Sequence, residues 1–296
     1  MKAFNIKTIL IPTDFSETSF LAVEHAAFMA KMFKADIVLL HVFEKNWEKF
    51  NIVEPNLSIE VPSDLSDKIE KRLDDLTVSI RREYGVKATS ICTDGNIFHE
   101  IVKGSQESKA DLIVMGTHGV SGFEEFFVGS NTYKVVTQSV CPVLSVQTHA
   151  KKIGFNNIIL PIDHSFHSRE KAGHAVALAK KYGSKIHILG LYNAVEDEVK
   201  KLEIKLDQVQ SYIENQGVSF SRKTIEGENQ AAMTFDAAKA MDADLIMIMT
   251  DQDSNGFFIG PYAQQIVNHS RIPVLSIRPT EGQFESPSLG GGSTAF

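Results

Sequence analysis

The sequence predicts two consecutive α/β domains, each a doubly wound parallel sheet with helices on both faces. Short apolar runs typical of buried parallel strands alternate with segments of helical periodicity. Three stretches of the first half return in the same order in the second half. They pair residues 7–16 with 156–165, 109–115 with 242–248, and 141–146 with 272–277. A repeat of this length is too long for a solenoid unit and indicates duplication of a whole domain.

The first copy, residues 1–147, alternates strand and helix throughout. We predict strands at 9–11, 36–42, 88–93, 112–115 and 143–146, and helices after Ser16 and at 66–84, 98–105 and 130–138. Ser16 is the expected N-cap of the first helix, since its hydroxyl can accept from a free backbone amide. The long polar helix at 66–84 carries a buried stripe of Ile69, Leu73, Leu76 and Ile80. Asp94-Gly95 is expected to turn the chain after the third strand.

Composition favours a protein free in the cytoplasm. The net charge is −7 and no cluster of Lys and Arg indicates a nucleic-acid surface. No apolar run is long enough for a membrane helix, and the N-terminus is not expected to be a signal peptide. The two cysteines, Cys92 and Cys141, fall in predicted strands and favour packing roles in a reducing compartment. A short linker precedes the second copy, residues 153–279, and the tail at 280–296 is expected to be disordered.

A glycine pattern after the fourth strand of the first copy predicts a nucleotide site. Gly116 and Gly119 follow the apolar run, and Gly129-Ser130 opens the next helix. Glycines let backbone amides approach phosphate oxygens, and the helix N-terminus favours negative charge. Asp14 follows the first strand, and ligands of open α/β sheets bind beyond such strand ends. Its carboxylate is expected to accept from ribose hydroxyls or to help hold a magnesium ion.

The spacing Gly116-x2-Gly119-x9-Gly129-Ser130, with Pro12-Thr13-Asp14 and the closing Cys141-Pro-Val-Leu, resembles the universal stress protein family. In that family the glycine pattern separates ATP-binding members from the others. The resemblance covers both copies and implies Rossmann-like domains, similar to adenine nucleotide alpha hydrolases, with strand order 3-2-1-4-5. It also implies that the two domains pair through their last strands.

The resemblance further implies where ATP would lie. Adenine would contact the end of the second strand at His41-Val42, the ribose would lie near Asp14, and the glycine loop would surround the phosphates. The site residues carried over in this way are Pro12, Thr13, Asp14, Val42, Met115, Gly116, His118, Gly119, Gly129, Ser130, Asn131 and Thr132. Mg²⁺ is expected to accompany ATP.

The second copy departs from the pattern at the loop. Thr250-Asp251-Gln252-Asp253 replaces the first glycines, and Pro261 replaces Ser130, which removes a hydroxyl and an amide donor. Added carboxylates repel phosphate, so we do not expect this copy to bind ATP. A metal site formed by His164 and His167 with Asp163, Asp251 and Asp253 is an alternative, although their spacing matches no strong metal motif.

The sequence favours a binding protein over an enzyme. It contains no Gly-Lys-Ser/Thr motif, no kinase signature and no nucleophile elbow. The leading hypothesis is an ATP-binding stress-response or regulatory protein whose nucleotide state changes its assembly or its protein partners. Two alternatives stay open. One is a slow ATPase, and the other is a scaffold whose second copy binds a different small ligand.

Overall fold

The computed structural model of the chain describes residues 4–44, 63–117, 128–165, 167–193, 196–250 and 259–279. The first half contains β1 (Thr8–Pro12), α1 (Glu17–Phe33), β2 (Asp36–Glu44), α2 (Ser63–Tyr84), β3 (Ala88–Gly95), α3 (Ile97–Glu107), β4 (Leu112–Gly116), α4 (Ser130–Gln138) and β5 (Val143–Val146). The second half contains β6 (Asn157–Ile162), α5 (Ala172–Tyr182), β7 (Lys185–Tyr192), α6 (Glu196–Asn215), β8 (Phe220–Glu226), α7 (Gln230–Ala240), β9 (Leu245–Met249), α8 (Pro261–His269) and β10 (Val274–Ile277).

The ten strands of the described residues form one sheet, in the order β3-β2-β1-β4-β5-β10-β9-β6-β7-β8. Within each half the strands are parallel, and the order 3-2-1-4-5 expected for each domain is confirmed. The two halves meet at β5 and β10, which pair antiparallel with Leu144 opposite Leu275. The sheet therefore continues from one domain into the other through their last strands.

The strand order reverses next to β1. From β1 the chain goes to β2 on one side, whereas β4 lies on the other side of β1. In a doubly wound sheet this reversal leaves a crevice beyond the carboxyl ends of the two strands, because the crossovers leave in opposite directions. The corresponding reversal in the second domain lies between β6 and β9.

Local sequence accounts for the helix ends that frame these crevices. Ser16 is the N-cap of α1, as predicted, and its side chain accepts a hydrogen bond from the Ser19 amide. Leu73 and Ile80 of α2 are buried, and the other two members of the predicted stripe pack against the same cluster.

None of the described helices is both long and apolar enough to cross a membrane.

Two details of the predicted elements were wrong. Asp94-Gly95 does not turn the chain, because β3 continues through both residues, which pair with Phe43 and Glu44 of β2. The turn comes at Asn96, whose side chain caps α3 by accepting from the His99 amide. Cys141 lies before β5 rather than within it, and its carbonyl accepts a hydrogen bond from the Ser139 hydroxyl.

Two apolar clusters lie on the two faces of the sheet. One is covered by α1, α2, α5 and α6, and the other by α3, α4, α7 and α8. Each cluster contains residues of both halves, so the core is continuous across the β5–β10 seam. Burial of this apolar surface is the main driving force for holding the two domains together.

Candidate functional site

A cavity of about 420 Å³ opens at the carboxyl ends of β1 and β4 in the first domain. Its volume falls in the range of about 300–1,000 Å³ that is usual for small-molecule sites. It occupies the crevice where the strand order reverses. Its walls come from β1, β2, β4, α1, α3, α4 and the turns between them.

Every predicted site residue that the structure describes lines this cavity. These residues are Pro12, Thr13, Asp14, Val42, Met115, Gly116, Gly129, Ser130, Asn131 and Thr132. His118 and Gly119 lie outside the described residues. The fold therefore brings the strand-one aspartate and the start of α4 to one site, although they are more than a hundred residues apart in the sequence.

The sequence prediction missed five lining residues: Ser19, Leu40, Ile97, Ile101 and Thr117. Period-two alternation in β2 could have identified Leu40, because it lies on the same face as Val42. Ile97 and Ile101 are four residues apart and therefore share one face of α3. Thr117 directly follows Gly116. Only Ser19 had no clear signal, since it is placed by the first turn of α1.

A strained turn holds Asp14 at the edge of the cavity. Phe15 has a φ of 62°, which is uncommon for a residue with a bulky side chain. Asp14 Oδ1 accepts from the Ser16 amide at 3.0 Å, and Thr13 Oγ1 accepts from the Phe15 amide at 3.1 Å. These two short-range bonds stabilise the turn and fix the direction of the carboxylate.

Neighbouring elements support the same turn through the Phe15 ring. The ring stacks on His41 with centroids 5.1 Å apart, and the Arg72 guanidinium of α2 lies 4.5 Å from its centroid. His41 Nδ1 lies 2.8 Å from the carbonyl oxygen of Thr13. Of the residues suggested for the end of the second strand, Val42 lines the cavity, whereas the His41 side chain contacts the turn.

Close backbone packing shapes the opposite wall. A Cβ on Gly116 would lie 2.9 Å from Thr18 Cγ2, and a Cβ on Gly129 would lie 3.1 Å from the Thr117 carbonyl oxygen. The Gly129 amide donates to that oxygen at 2.8 Å, and Thr132 Oγ1 donates to the Gly116 carbonyl at 3.0 Å. These contacts tie the start of α4 to the end of β4.

The start of α4 presents backbone donors to the cavity. Its N-cap is Gly129, which has no side chain to accept from the first amides of the helix. Such amides have no acceptor within the helix and carry the positive end of its dipole. Ser130, which is exposed, adds a hydroxyl at the same place. This side of the cavity is therefore suited to an anion.

The other side of the cavity is apolar. Leu40, Val42, Ile97, Ile101 and Met115 form this wall. Among the described lining residues, Asp14 is the one carboxylate, and neither lysine nor arginine is present. The site thus combines an apolar wall, a carboxylate and a row of backbone donors, which suits a ligand with an aromatic, a hydroxylated and an anionic part.

At the corresponding place in the second domain, the described residues line a cavity of about 30 Å³. It is lined by Pro161, Asp163, Ser165, Ser168, Lys171, Leu191, Met249 and Tyr262. Asp163 Oδ1 accepts from the amide of Ser165 at 3.0 Å and from its hydroxyl at 2.6 Å. Burial raises the pKa of Asp163, but the nearby Lys171 ammonium and the serine hydrogen bonds outweigh it and lower the pKa below its usual value.

The histidines suggested for a metal site in this domain have other neighbours. The His164 carbonyl accepts from the Lys205 ammonium of α6, and His167 Nδ1 pairs with the Glu170 carboxylate. Within the described ranges, no group of three or more His, Cys, Asp or Glu side chains is placed to hold a metal. Asp251 and Asp253, the other suggested ligands, lie outside those ranges.

Comparison with known proteins identifies the family. Two universal stress proteins of Methanocaldococcus jannaschii are 34% and 32% identical to this chain, over 49% and 48% of it and 85% and 94% of their own lengths. A universal stress protein of Archaeoglobus fulgidus has the same fold, with a TM-score of 0.72 at 21% identity over 94% of this chain and 98% of that one. The model of the universal stress protein family matches residues 5–147 and again residues 154–278. The chain therefore belongs to the universal stress protein family as a tandem member with two family domains.

Proposed function

We propose that this chain is an ATP-binding stress-response or regulatory protein with one nucleotide site, in the first domain (residues 1–147). The second domain (residues 153–279) then pairs with the first through β10. The observation that carries the proposal is the cavity at the strand reversal, where Asp14 faces Gly116, Gly129 and Ser130.

The three parts of the cavity match the three parts of ATP. The apolar wall of Val42, Ile97 and Ile101 accommodates the adenine ring, and Asp14 accepts from the ribose hydroxyls. The amides at the start of α4 and the Ser130 hydroxyl donate to the phosphates. The close contacts of Gly116 and Gly129 support this arrangement, because a side chain at either position would disturb the wall on which the phosphates lie.

Mg²⁺ fits the same donor set. It prefers oxygen ligands and is usually held by one or two carboxylates together with substrate phosphates. Asp14 is the carboxylate in reach of the cavity, and when bound the ion would neutralise phosphate charge beside it. The Ser16 amide, which donates to Asp14, would keep the carboxylate oriented toward the ion.

The lining favours binding over turnover. Fast phosphoryl transfer needs cations on the transferring group and a positioned base. Among the described lining residues there is no lysine or arginine to stabilise that charge. We therefore propose a nucleotide-responsive protein, located in the cytoplasm, that acts through a protein partner or through its own assembly.

Nucleotide release and titration test this proposal. Mass spectrometry of the freshly purified chain should find bound ATP, and calorimetry with MgATP should give one site per chain. Gly129→Asp places a carboxylate beside the phosphates and should abolish binding. Gly260→Asp, at the N-cap of α8 in the second domain, is the matched control and should leave binding unchanged. Absence of both nucleotide and heat from the unmodified chain refutes the proposal.

A further inference from the structure

The two domains have the same strand order, but they differ in what occupies the crevice at the strand reversal. In the first domain the crevice is a cavity of about 420 Å³, and in the second it is reduced to about 30 Å³. The smaller volume suffices for about one or two water molecules. Asp163 follows β6 as Asp14 follows β1, but α5 begins nine residues after Asp163 whereas α1 begins three residues after Asp14. The side chains that line the two cavities also differ.

A lysine occupies the polar part of the second crevice. Lys171 lies eight residues after Asp163, as Ala22 lies eight residues after Asp14. Ala22 is fully buried, and Lys171 is only 3% exposed. The Lys171 ammonium donates to the Ser168 carbonyl at 2.6 Å and contacts the Ser168 hydroxyl at 3.3 Å. A lysine is almost never buried unless its charge is compensated. Asp163 lines the same small cavity as Lys171, and the Lys171 charge lowers the pKa of Asp163.

A tyrosine occupies the apolar part. Tyr262 is the second residue of α8, as Asn131 is the second residue of α4. Its hydroxyl lies 3.1 Å from Thr234 Oγ1 on α7, and Thr234 is the fifth residue of that helix, as Ile101 is of α3. The ring therefore reaches across the place where the first domain has its apolar wall. Burial raises the pKa of Tyr262, as expected for a phenol enclosed by protein.

We propose that the second domain carries an internal ligand, in which the Lys171 ammonium and the Tyr262 ring occupy the positions that a nucleotide takes in the first domain. Lys171 neutralises Asp163 in place of a bound cation, and Tyr262 fills the place of the base. These two residues then decide which domain is open. The inference rests on the proposed nucleotide site of the first domain, but its own test is made in the second domain.

Opening the second crevice tests the steric part of the proposal. In an Ile101→Trp background, in which an indole ring fills the apolar wall of the first cavity and so blocks adenosine there, Lys171→Ala and Tyr262→Asn restore the residue types of the first domain in the second. We use adenosine as the probe, because it lacks the phosphates that the degenerate loop cannot hold. The opened variant should bind adenosine at least about tenfold more tightly than its background, measured by calorimetry. Lys180→Ala, on the exposed side of α5, is the matched control and should bind no better than the background.

Two results of this titration overturn the proposal. One is stoichiometric binding of adenosine to the second domain before it is opened. The other is a folded, opened variant that still does not bind. Neither result depends on whether the unmodified chain binds ATP, which is the separate test of the proposed function.

A double-mutant cycle tests the electrostatic part and does not require the crevice to open. Lys171→Met keeps the apolar stem and removes the charge, and Asp163→Asn removes the opposite charge. Each single variant leaves one buried charge uncompensated and should lower the Tm by roughly 6–15 °C. The double variant should regain at least half of that loss. Purely additive Tm changes contradict an internal ion pair and, with it, the proposal.

Discussion

Replacing Asp14 by asparagine separates its role in binding from any role in folding. Asparagine keeps the size of the side chain and an oxygen that can accept from the Ser16 amide, which donates to Asp14 Oδ1 at 3.0 Å. The turn around Phe15 should therefore remain. What disappears is the negative charge that would face the proposed ribose and Mg²⁺.

The expected loss follows from hydrogen bonding to a charged acceptor. Such a bond contributes about 1.5–3 kcal/mol, compared with about 0.5–1.5 kcal/mol for a neutral pair. Because asparagine can still accept a neutral bond, the loss is the difference of about 1–1.5 kcal/mol, and MgATP binding should weaken by roughly 5- to 13-fold for each such bond. The Tm of the unliganded Asp14→Asn chain should stay within about 2 °C of the unmodified chain, because a neutral amide retains the local bond.

The matched control is Asp163→Asn in the second domain. Asp163 faces the buried Lys171, so this variant should lower the Tm while leaving the affinity for MgATP unchanged. Calorimetry with MgATP and thermal unfolding without it are measured on both variants. The reasoning is refuted if Asp14→Asn binds as tightly as the unmodified chain. It is equally refuted if its Tm collapses, which would make Asp14 a structural residue.

Three further predictions concern stability. Gly116→Ala should lower the free energy of unfolding by about 1–3 kcal/mol, because its Cβ would lie 2.9–3.1 Å from side-chain and backbone atoms of Thr18. In the same denaturant titration, Gly190→Ala should lower it less, because its Cβ meets mainly flexible side-chain ends. Ser16→Ala removes the N-cap of α1 and should lower it by about 0.5–2 kcal/mol, with Ser16→Gly closer to the unmodified chain. Burial lowers the pKa of His174 to about 4 from 6.5, so the unfolded chain binds this proton first and stability should fall as pH decreases from about 6.5 toward 4. Protonation of His174 should lower the free energy of unfolding by an amount on the order of 3 kcal/mol across this pH range. His174→Gln should flatten this part of the stability–pH curve, and an unchanged curve contradicts the lowered pKa of His174.

The sequence was sufficient to predict the strands and helices of the first domain and most of the described residues that line its cavity. Strand and helix periodicity, together with the repeat, placed the elements to within a few residues. The family resemblance supplied the strand order, which periodicity alone cannot give. The turn expected at Asp94-Gly95 was wrong because pairing with the end of β2 keeps the chain extended. A local turn preference is weaker than a row of inter-strand hydrogen bonds.

The closure of the second crevice could not be predicted in the same way. In the sequence, Lys171 belongs to a polar stretch that precedes a helix and resembles a solvated surface segment. Its burial depends on its position relative to Asp163, which only the three-dimensional arrangement supplies. The same holds for Tyr262, whose direction is set by a hydrogen bond to Thr234 on another helix.

The antiparallel pairing of β5 with β10 has a consequence for how the molecule responds to dilution. Two separate subunits joined through such strands come apart when their concentration falls below their dissociation constant. Here both strands belong to one polypeptide, so the seam forms at an effective concentration set by the short linker after β5 and not by the amount of protein in the cell. The two subunits of a symmetric homodimer necessarily have the same sequence, whereas two domains fused in one chain can differ in sequence. The crevice of one half can thus change in sequence while that of the other half does not.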